Sequence, residues 1–376
     1  MPILVDASLS CNLNCAYCYN SEPRRAGGAT DIEAVKRAVL SLRERRSYVE
    51  GGERKYPEIV LHGGEPTSWP FFEELLKFAY GLNGKTEIQT NATLIDEDAV
   101  RLFKKYKTCV GASYDGFWPL NRFRADEATS GRVARNIKWL KDEGISVGVI
   151  TVVSRANGLP EQRPLFKRYF DWLADNKIQG RLNPCFVDGN SPELELTPAE
   201  ALDFYMDMAD YCVAHGIGGW SPFWDIVQAL RGKPRVCIFT HCDPLSSPSG
   251  IVVDSRGRVT TCRRGAVSYE NDLRDLGTRR EILRATDCRG CKYFFACGGG
   301  CPSQAVPDWR AKTVWCPVWR ALFAKYEKVL LSLGEAVRLD EASQAASGHG
   351  DYWQARGGGH GDEYHERPHA DHWQAI

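Results

Sequence analysis

The sequence predicts an α/β protein whose first half is a series of parallel βα units, followed by a small cysteine-rich region. Short β-branched segments alternate with amphipathic helical segments up to about residue 190. From about Arg235 to Trp319 the chain is rich in cysteines and turn residues and has few long periodic segments. Its 376 residues are enough for both parts.

Six segments of the first half have the composition of β-strands. They are Ile3–Ser8, Glu58–Leu61, Thr86–Thr90, Thr108–Ser113, Ser146–Ser154 and Gln179–Phe186. Between them, Thr30 opens a predicted capping box, Asp96 is a predicted helix cap, and residues 131–141 have helical periodicity. Six βα units in series predict a partial or closed parallel barrel, with its chemistry at the carboxyl ends of the strands.

The overall composition excludes several classes of protein. Its 48 basic and 48 acidic residues give a formal charge of zero, which favours neither nucleic acid nor an anionic membrane as a partner. No apolar run approaches the ~20 residues of a membrane span, and the first residues lack the basic region of a secretory signal. Fourteen cysteines without an export signal therefore indicate metal ligands in a cytoplasmic protein rather than disulfides.

A first cysteine group follows the first predicted strand directly, with Cys11, Cys15 and Cys18 on one short segment. A loop of this kind can place three sulfurs around one iron–sulfur cluster, and its fourth iron then stays open for another ligand. The alternative is a zinc site, which needs a distant fourth ligand. The spacing favours the cluster.

With the aromatic Tyr17 before the last cysteine, this group resembles the signature of the radical S-adenosylmethionine (SAM) superfamily. The segment Gly63, Gly64, Glu65 and Pro66 resembles the part of that family that binds the SAM amino group. The resemblance implies a partial (β/α)6 barrel over residues 1–190. It also implies SAM on the open iron, where reductive cleavage gives a 5′-deoxyadenosyl radical.

Three further segments, 89–96, 113–116 and 122–124, resemble the subgroup of anaerobic sulfatase-maturing enzymes and ribosomal-peptide maturases. In that subgroup the serine and the arginine at the positions of Ser113 and Arg124 bind SAM. The guanidinium of Arg124 could then pair with the SAM carboxylate. Without the motif, Arg124 would be read as a solvated surface residue.

A second cysteine group comprises Cys242, Cys262, Cys288, Cys291, Cys297, Cys301 and Cys316. Its spacing resembles the seven-cysteine SPASM signature, and Cys237 stands where two-cluster members have an eighth cysteine. The resemblance implies two auxiliary 4Fe–4S clusters and hence three clusters in all. The first is held by Cys237, Cys242, Cys262 and Cys301, and the second by Cys288, Cys291, Cys297 and Cys316. A zinc knuckle is the alternative for residues 288–316. The remaining Cys109, Cys185 and Cys212 are predicted to be buried thiols.

These assignments predict five regions. They are a radical SAM partial barrel at 1–190, a bridging helical segment at 191–234, a SPASM domain at 235–330, the end of a C-terminal helix at 331–342 and a disordered glycine- and histidine-rich tail at 343–376. In the tail, residues 351–355 recur in part at 371–375. A solvated tail is the simple interpretation, and a segment that mimics or forms the substrate is the alternative.

The first functional hypothesis is a radical SAM oxidoreductase that modifies a side chain of a ribosomal peptide or protein, by a cross-link, a thioether or a dehydrogenation. Sulfatase maturation, from cysteine or serine to formylglycine, is the alternative. Arg263 and Arg264 stand where those enzymes have an aspartate proposed as the base, so the general base is not identified. A non-catalytic iron–sulfur electron-transfer or scaffold protein is a third possibility.

The expected partners follow from the resemblance. They are a peptide or protein substrate and a low-potential electron donor such as ferredoxin or flavodoxin. Because the chain begins at the predicted barrel, a leader-binding module would be a separate protein.

Overall fold

The computed structural model describes residues 2–20, 29–50, 52–187, 192–232, 251–260, 276–305, 308 and 310–339. The chain forms two compact units. The first consists of Met1–Ser47, Arg54–Val187 and Gly250–Thr260, and the second of Tyr48–Glu53, Asp188–Ser249 and Thr261–Ile376. Several predictions concern residues outside the described ranges. They are the predicted cluster ligands Cys237, Cys242 and Cys262, the arginines Arg263 and Arg264, and the predicted tail at 343–376.

Ten strands are present in the described residues. They are β1 (Ile3–Asp6), β2 (Tyr48–Glu50), β3 (Glu53–Lys55), β4 (Ile59–Leu61), β5 (Thr86–Thr90), β6 (Thr108–Ser113), β7 (Val147–Val153), β8 (Gly180–Pro184), β9 (Ile251–Asp254) and β10 (Val259–Thr260). The six strands predicted from the sequence are confirmed as β1 and β4 to β8, with ends shifted by at most two residues. They are consecutive neighbours in one sheet and all parallel.

The helices are α1 (Ile32–Arg45), α2 (Phe72–Asn83), α3 (Glu97–Lys105), α4 (Glu127–Asp142), α5 (Arg163–Asp175), α6 (Pro198–Ala214), α7 (Phe223–Leu230), α8 (Leu276–Ala285), α9 (Phe294–Cys297) and α10 (Cys316–Ser332). Helices α1 to α5 each connect one parallel strand of the barrel to the next. The predicted βα series is therefore confirmed. In the described part of the chain, no helix has the length and apolar composition needed to cross a bilayer.

Two helix starts differ from the sequence prediction. The N-cap of α1 is Asp31, whose carboxylate accepts a hydrogen bond from the backbone N–H of Ala34 at 2.8 Å. The hydroxyl of Thr30, predicted as the cap, instead donates to the carbonyl of Ala7 at 2.7 Å. Helix α4 begins four residues earlier than predicted, because Asp126 caps it and its first turn is too polar to show a helical pattern.

The hairpin of β9 and β10 extends the barrel sheet beyond β1. Strand β9 runs parallel to β1, with Ile3 opposite Ile251 and Asp6 opposite Asp254, and β10 returns antiparallel. The hairpin therefore contributes two strands to the eight-stranded sheet. Its first strand is an inner strand of the sheet, since it is paired on both sides.

The second unit contains a helical core and the described part of the cysteine-rich region. Helix α10 packs against α6 and α7, and the Tyr205 ring lies 5.7 Å from that of Trp319. A capping box at Thr197 begins α6, since Glu200 N–H donates to the Thr197 hydroxyl at 3.3 Å and the Thr197 N–H donates to the Glu200 carboxylate at 2.8 Å. Helix α10 begins at Cys316, one of the predicted ligands.

Two of the three cysteines outside the ligand groups are buried as predicted, namely Cys185 and Cys212. The prediction was wrong for Cys109, which is only partly buried. Along β6 the side chains alternate, and Cys109 lies with Gly111 and Ser113 on the less buried face.

Candidate active site

The first cysteine group lies on the loop that follows β1, at the carboxyl end of the parallel sheet. Cys11, Cys15 and Cys18 are all partly exposed. Burial raises the pKa of the Cys15 thiol to about 11; the guanidinium of Arg124 opposes this increase, whereas Asp115 and the other two thiols add to it. The three sulfurs therefore lie close enough to influence one another.

The sulfur of Cys11 is approached by two N–H donors. The backbone N–H of Leu13 lies 3.4 Å from it, and the side-chain amide of Asn91 lies 3.8 Å from it. The same amide nitrogen donates to Asn12 at 2.8 Å, and the Asn12 amide donates to Thr93 at 2.8 Å. Because Asn91 follows β5 directly, these bonds tie the cysteine loop to the end of that strand.

The Gly63–Gly64 segment follows β4 and packs directly against the cysteine loop. The backbone N–H of Gly64 donates to the carbonyl of Ser8 at 3.0 Å, and that of Glu65 donates to Ser10 at 2.8 Å. A Cβ atom on Gly64 would lie 2.0 Å from the Ser10 carbonyl oxygen. The glycine pair therefore allows close approach of the loop backbone.

The carboxylate of Glu65 is fully buried and holds the turn against β5. One oxygen accepts the hydroxyl protons of Thr67 and Thr90, each at 2.6 Å, and the Thr67 N–H at 3.2 Å. The other accepts the N–H of Asn91 at 2.6 Å. Burial raises the pKa of this carboxyl, and the hydrogen bonds oppose that increase. Pro66 is buried and begins a 3₁₀ turn.

Arg124 forms a nearly buried ion pair with Asp115, two residues after the end of β6. Its Nε and Nη2 atoms lie 3.3 and 3.1 Å from the two carboxylate oxygens, and its side chain is 9% exposed. The hydroxyl of Tyr17 donates to the same carboxylate, and the N–H of Val152 donates to it at 2.8 Å. The alternative of a solvated surface arginine is therefore wrong.

Asp115 is thus the centre of a hydrogen-bond network that was not predicted from the sequence. The ring of Tyr17, from the cysteine loop, lies 5.5 Å from the Arg124 guanidinium carbon. The backbone N–H of Ala16 also donates to the carbonyl of Phe123 at 2.7 Å. The only sequence signal for Asp115 was its place in the segment 113–116. Ser113 is the last residue of β6 and is partly exposed.

A second feature missed from the sequence is a histidine at the end of β4. The Nδ1 atom of His62 lies 2.7 Å from the buried carboxylate of Asp6, the last residue of β1. Its Nε2 atom lies 3.2 Å from the hydroxyl of Tyr19, next to the last cysteine of the loop. A polar triad therefore lies beside the Gly63–Gly64 segment.

In the second unit, four of the five described cysteines of the second group are neighbours. Burial raises the pKa of Cys297 to about 12 and that of Cys288 to about 11. The thiols of Cys316 and Cys291 raise both values further. The sulfur of Cys301 lies 2.9 Å from the hydroxyl of Ser303 instead.

Among the described residues, no three histidine, cysteine or acidic side chains converge on one point as they would around a single ion. In an iron–sulfur cube each cysteine binds a different iron, so convergence on one point is not required.

Comparison with known proteins agrees with this architecture. The family profile described as Radical SAM superfamily matches residues 7–164. A cysteine-type anaerobic sulfatase-maturating enzyme of Clostridium novyi (strain NT) is 23% identical over 86% of this chain and 94% of its own length. A serine-type enzyme of Bacteroides thetaiotaomicron is 24% identical over 78% of this chain and 80% of its own length.

Two solved structures share the fold. Native anSMEcpe with bound AdoMet and Cp18Cys peptide superposes with a TM-score of 0.70 and 20% identity, covering 88% of this chain and 98% of that one. Streptococcus suis SuiB superposes with a TM-score of 0.57 and 16% identity, covering 83% and 76%. Together with the cysteine loop at the carboxyl end of the parallel sheet, the family match shows that residues 7–164 form a radical SAM domain and that the chain is an enzyme.

Proposed function

We propose that Cys11, Cys15 and Cys18 bind a 4Fe–4S cluster with SAM on its open iron, and that the enzyme oxidises a side chain of a ribosomal peptide or protein. The observation that carries the proposal is the placement of three thiols on one loop, held by the Gly63–Gly64 segment and β5, inside a radical SAM domain. When bound, the cluster supplies the electron that converts SAM to methionine and a 5′-deoxyadenosyl radical.

The residues proposed to form the SAM site are Gly63, Gly64, Glu65, Pro66, Ser113 and Arg124. Arg124 uses Nε and Nη2 for Asp115, so we assign the SAM carboxylate to its Nη1 side. Glu65 is saturated with hydrogen bonds, so its proposed role is to fix the turn whose backbone meets the SAM amino group.

Two auxiliary 4Fe–4S clusters complete the proposal. The mutual proximity of four thiols supports the cluster held by Cys288, Cys291, Cys297 and Cys316. The other is assigned to Cys301 with Cys237, Cys242 and Cys262. Thiolate ligands need a reducing compartment, so we place the enzyme in the cytoplasm with a low-potential donor such as ferredoxin or flavodoxin.

Oxidation of a side chain by two electrons also releases a proton, and we assign its acceptor to Nε2 of His62. The buried Asp6 carboxylate on Nδ1 orients the ring, so that Nε2 is held in place. Tyr19, at 3.2 Å, offers a path for that proton towards solvent, because it is 42% exposed.

The substrate class rests on the relatives. SuiB has been solved bound to the precursor peptide SuiA, and Bacillus subtilis AlbA, a subtilosin biosynthesis protein, is 29% identical over 39% of this chain. These names favour a ribosomal peptide, and a separate leader-binding protein would then assist. Sulfatase maturation is the second candidate, because relatives along most of the chain carry that name.

One experiment separates the two candidates. The reconstituted enzyme, SAM and dithionite are incubated anaerobically with the precursor peptide encoded nearest its gene, or with a sulfatase-derived cysteine peptide. Loss of two hydrogens from the precursor supports peptide maturation, and exchange of the thiol for an aldehyde in the second peptide supports sulfatase maturation. Formation of 5′-deoxyadenosine with neither peptide changed would contradict both.

A further inference from the structure

A buried arginine in the second unit holds the glycine loop between two of the proposed cluster ligands. Arg279, on α8, is 1% exposed. Its terminal nitrogens donate to the carbonyl oxygens of Gly298, Gly299 and Gly300 at distances between 3.2 and 3.4 Å. They also donate to the carbonyl of Ala311 at 2.8 Å. Three successive carbonyl groups therefore point to one cation.

The loop can adopt this arrangement because all three residues are glycines. Their φ angles are +62°, +81° and +76°, in the left-handed region that side chains disfavour. A Cβ atom on Gly299 would lie 2.3 Å from a methyl carbon of Leu283. The carbonyl of Gly299 also accepts the N–H of Thr313 at 3.0 Å. The loop is thus fixed from several sides.

The buried guanidinium binds a loop that lies directly between two proposed ligands, because Gly298 follows Cys297 and Gly300 precedes Cys301. Positive charge near an iron–sulfur cluster stabilises its reduced state.

We infer that Arg279 raises the reduction potential of the cluster held by Cys288, Cys291, Cys297 and Cys316, by holding a buried positive charge against the glycine loop that follows Cys297. This inference rests on the proposed auxiliary cluster. A higher potential favours transfer of one electron from a substrate radical to the oxidised cluster, which is reduced by one electron while the substrate proton leaves to a base. Arg279 is a positioning residue in this step.

The test uses the full-length chain with Cys11, Cys15 and Cys18 replaced by alanine, so that the remaining iron is auxiliary. Arg279→Gln and Arg279→Lys are made in this background and titrated potentiometrically with detection by electron paramagnetic resonance. One auxiliary midpoint potential should fall in Arg279→Gln and fall less in Arg279→Lys, which keeps the charge. The matched control is Arg284→Gln, an exposed arginine on the same helix, which should leave both potentials unchanged.

Unchanged potentials in an iron-loaded Arg279→Gln protein would overturn the inference. Loss of auxiliary iron from both Arg279 variants would overturn it as well, because Arg279 would then serve only to retain the cluster. A background protein without auxiliary iron would instead contradict the proposed cluster, and the inference with it.

Discussion

Arg124 donates to both carboxylate oxygens of Asp115, and the two side chains are only 9% and 2% exposed. Asp115 also accepts the hydroxyl proton of Tyr17 from the cysteine loop. The Asp115 carboxylate therefore fixes Arg124, which is assigned to SAM. It also fixes Tyr17, which lies in the loop that carries the proposed cluster ligands. The position of Arg124 depends on Asp115 as much as on its own segment.

Replacing Asp115 by asparagine should weaken SAM binding without removing iron. The change leaves a buried guanidinium without its carboxylate, so unfolding free energy should fall by about 3–5 kcal/mol. Loss of Arg124 orientation should weaken SAM affinity by about 1.5–3 kcal/mol, measured by calorimetric titration. Asp98→Asn is the control, since its pair with Arg101 is exposed and contributes about 0–1 kcal/mol. Wild-type SAM affinity in Asp115→Asn would refute this role.

Gly64→Ala should displace the cysteine loop. The added methyl group would lie 2.0 Å from the Ser10 carbonyl oxygen, a backbone atom that cannot move without the loop. We expect the loss of about four of about twelve irons per chain, because each cube holds four. Gly81→Ala on α2 is the matched control, because nothing lies within 4 Å of its Cβ and helix propensity should improve by up to about 1 kcal/mol. Full iron content in Gly64→Ala would be the opposing result.

Glu65→Gln should lower stability rather than act on SAM alone. The amide of glutamine cannot accept at both ends, so at least one buried donor among Thr67, Thr90 and Asn91 loses its partner. Each loss costs about 1–3 kcal/mol, which thermal unfolding can detect. An unchanged unfolding temperature together with weaker SAM binding would instead show a direct contact between Glu65 and the SAM ammonium.

His62→Gln should separate radical formation from substrate oxidation. The variant should still release 5′-deoxyadenosine, because His62 is not assigned to SAM or iron. The rate of peptide modification should fall by about 10²–10⁴, the usual contribution of a general base. Tyr19→Phe, which removes only the partner of Nε2, should have the smaller effect. Equal modification rates in His62→Gln and wild type would exclude His62 as the proton acceptor.

The sequence predicted the parallel strands well because their apolar and β-branched segments are short and bounded by polar residues. Thr86–Thr90 and Thr108–Ser113 agree to the residue. The start of α4 was missed because Asp126 caps a turn whose only apolar residue is Ala128. Pairing of β9 with β1 joins residues about 250 positions apart, and local patterns carry no information about such a contact.

The candidate site was predictable where spacing alone defines it. Cys11, Cys15 and Cys18 form a local pattern, and so does the Gly63–Gly64 segment. The ion pair of Asp115 with Arg124 and the triad around His62 were not predictable, since each depends on which strands become neighbours. The polar partners of Glu65 were hidden for the same reason.

The most direct test of radical SAM chemistry is the yield of 5′-deoxyadenosine from SAM. Protein reconstituted anaerobically with iron and sulfide is incubated with SAM and dithionite, and the nucleoside is measured by chromatography. Wild type should form 5′-deoxyadenosine. The protein with Cys11, Cys15 and Cys18 replaced by alanine should form none, while it retains about eight irons. Equal yields from the two proteins, or no product from iron-loaded wild type, would contradict the account.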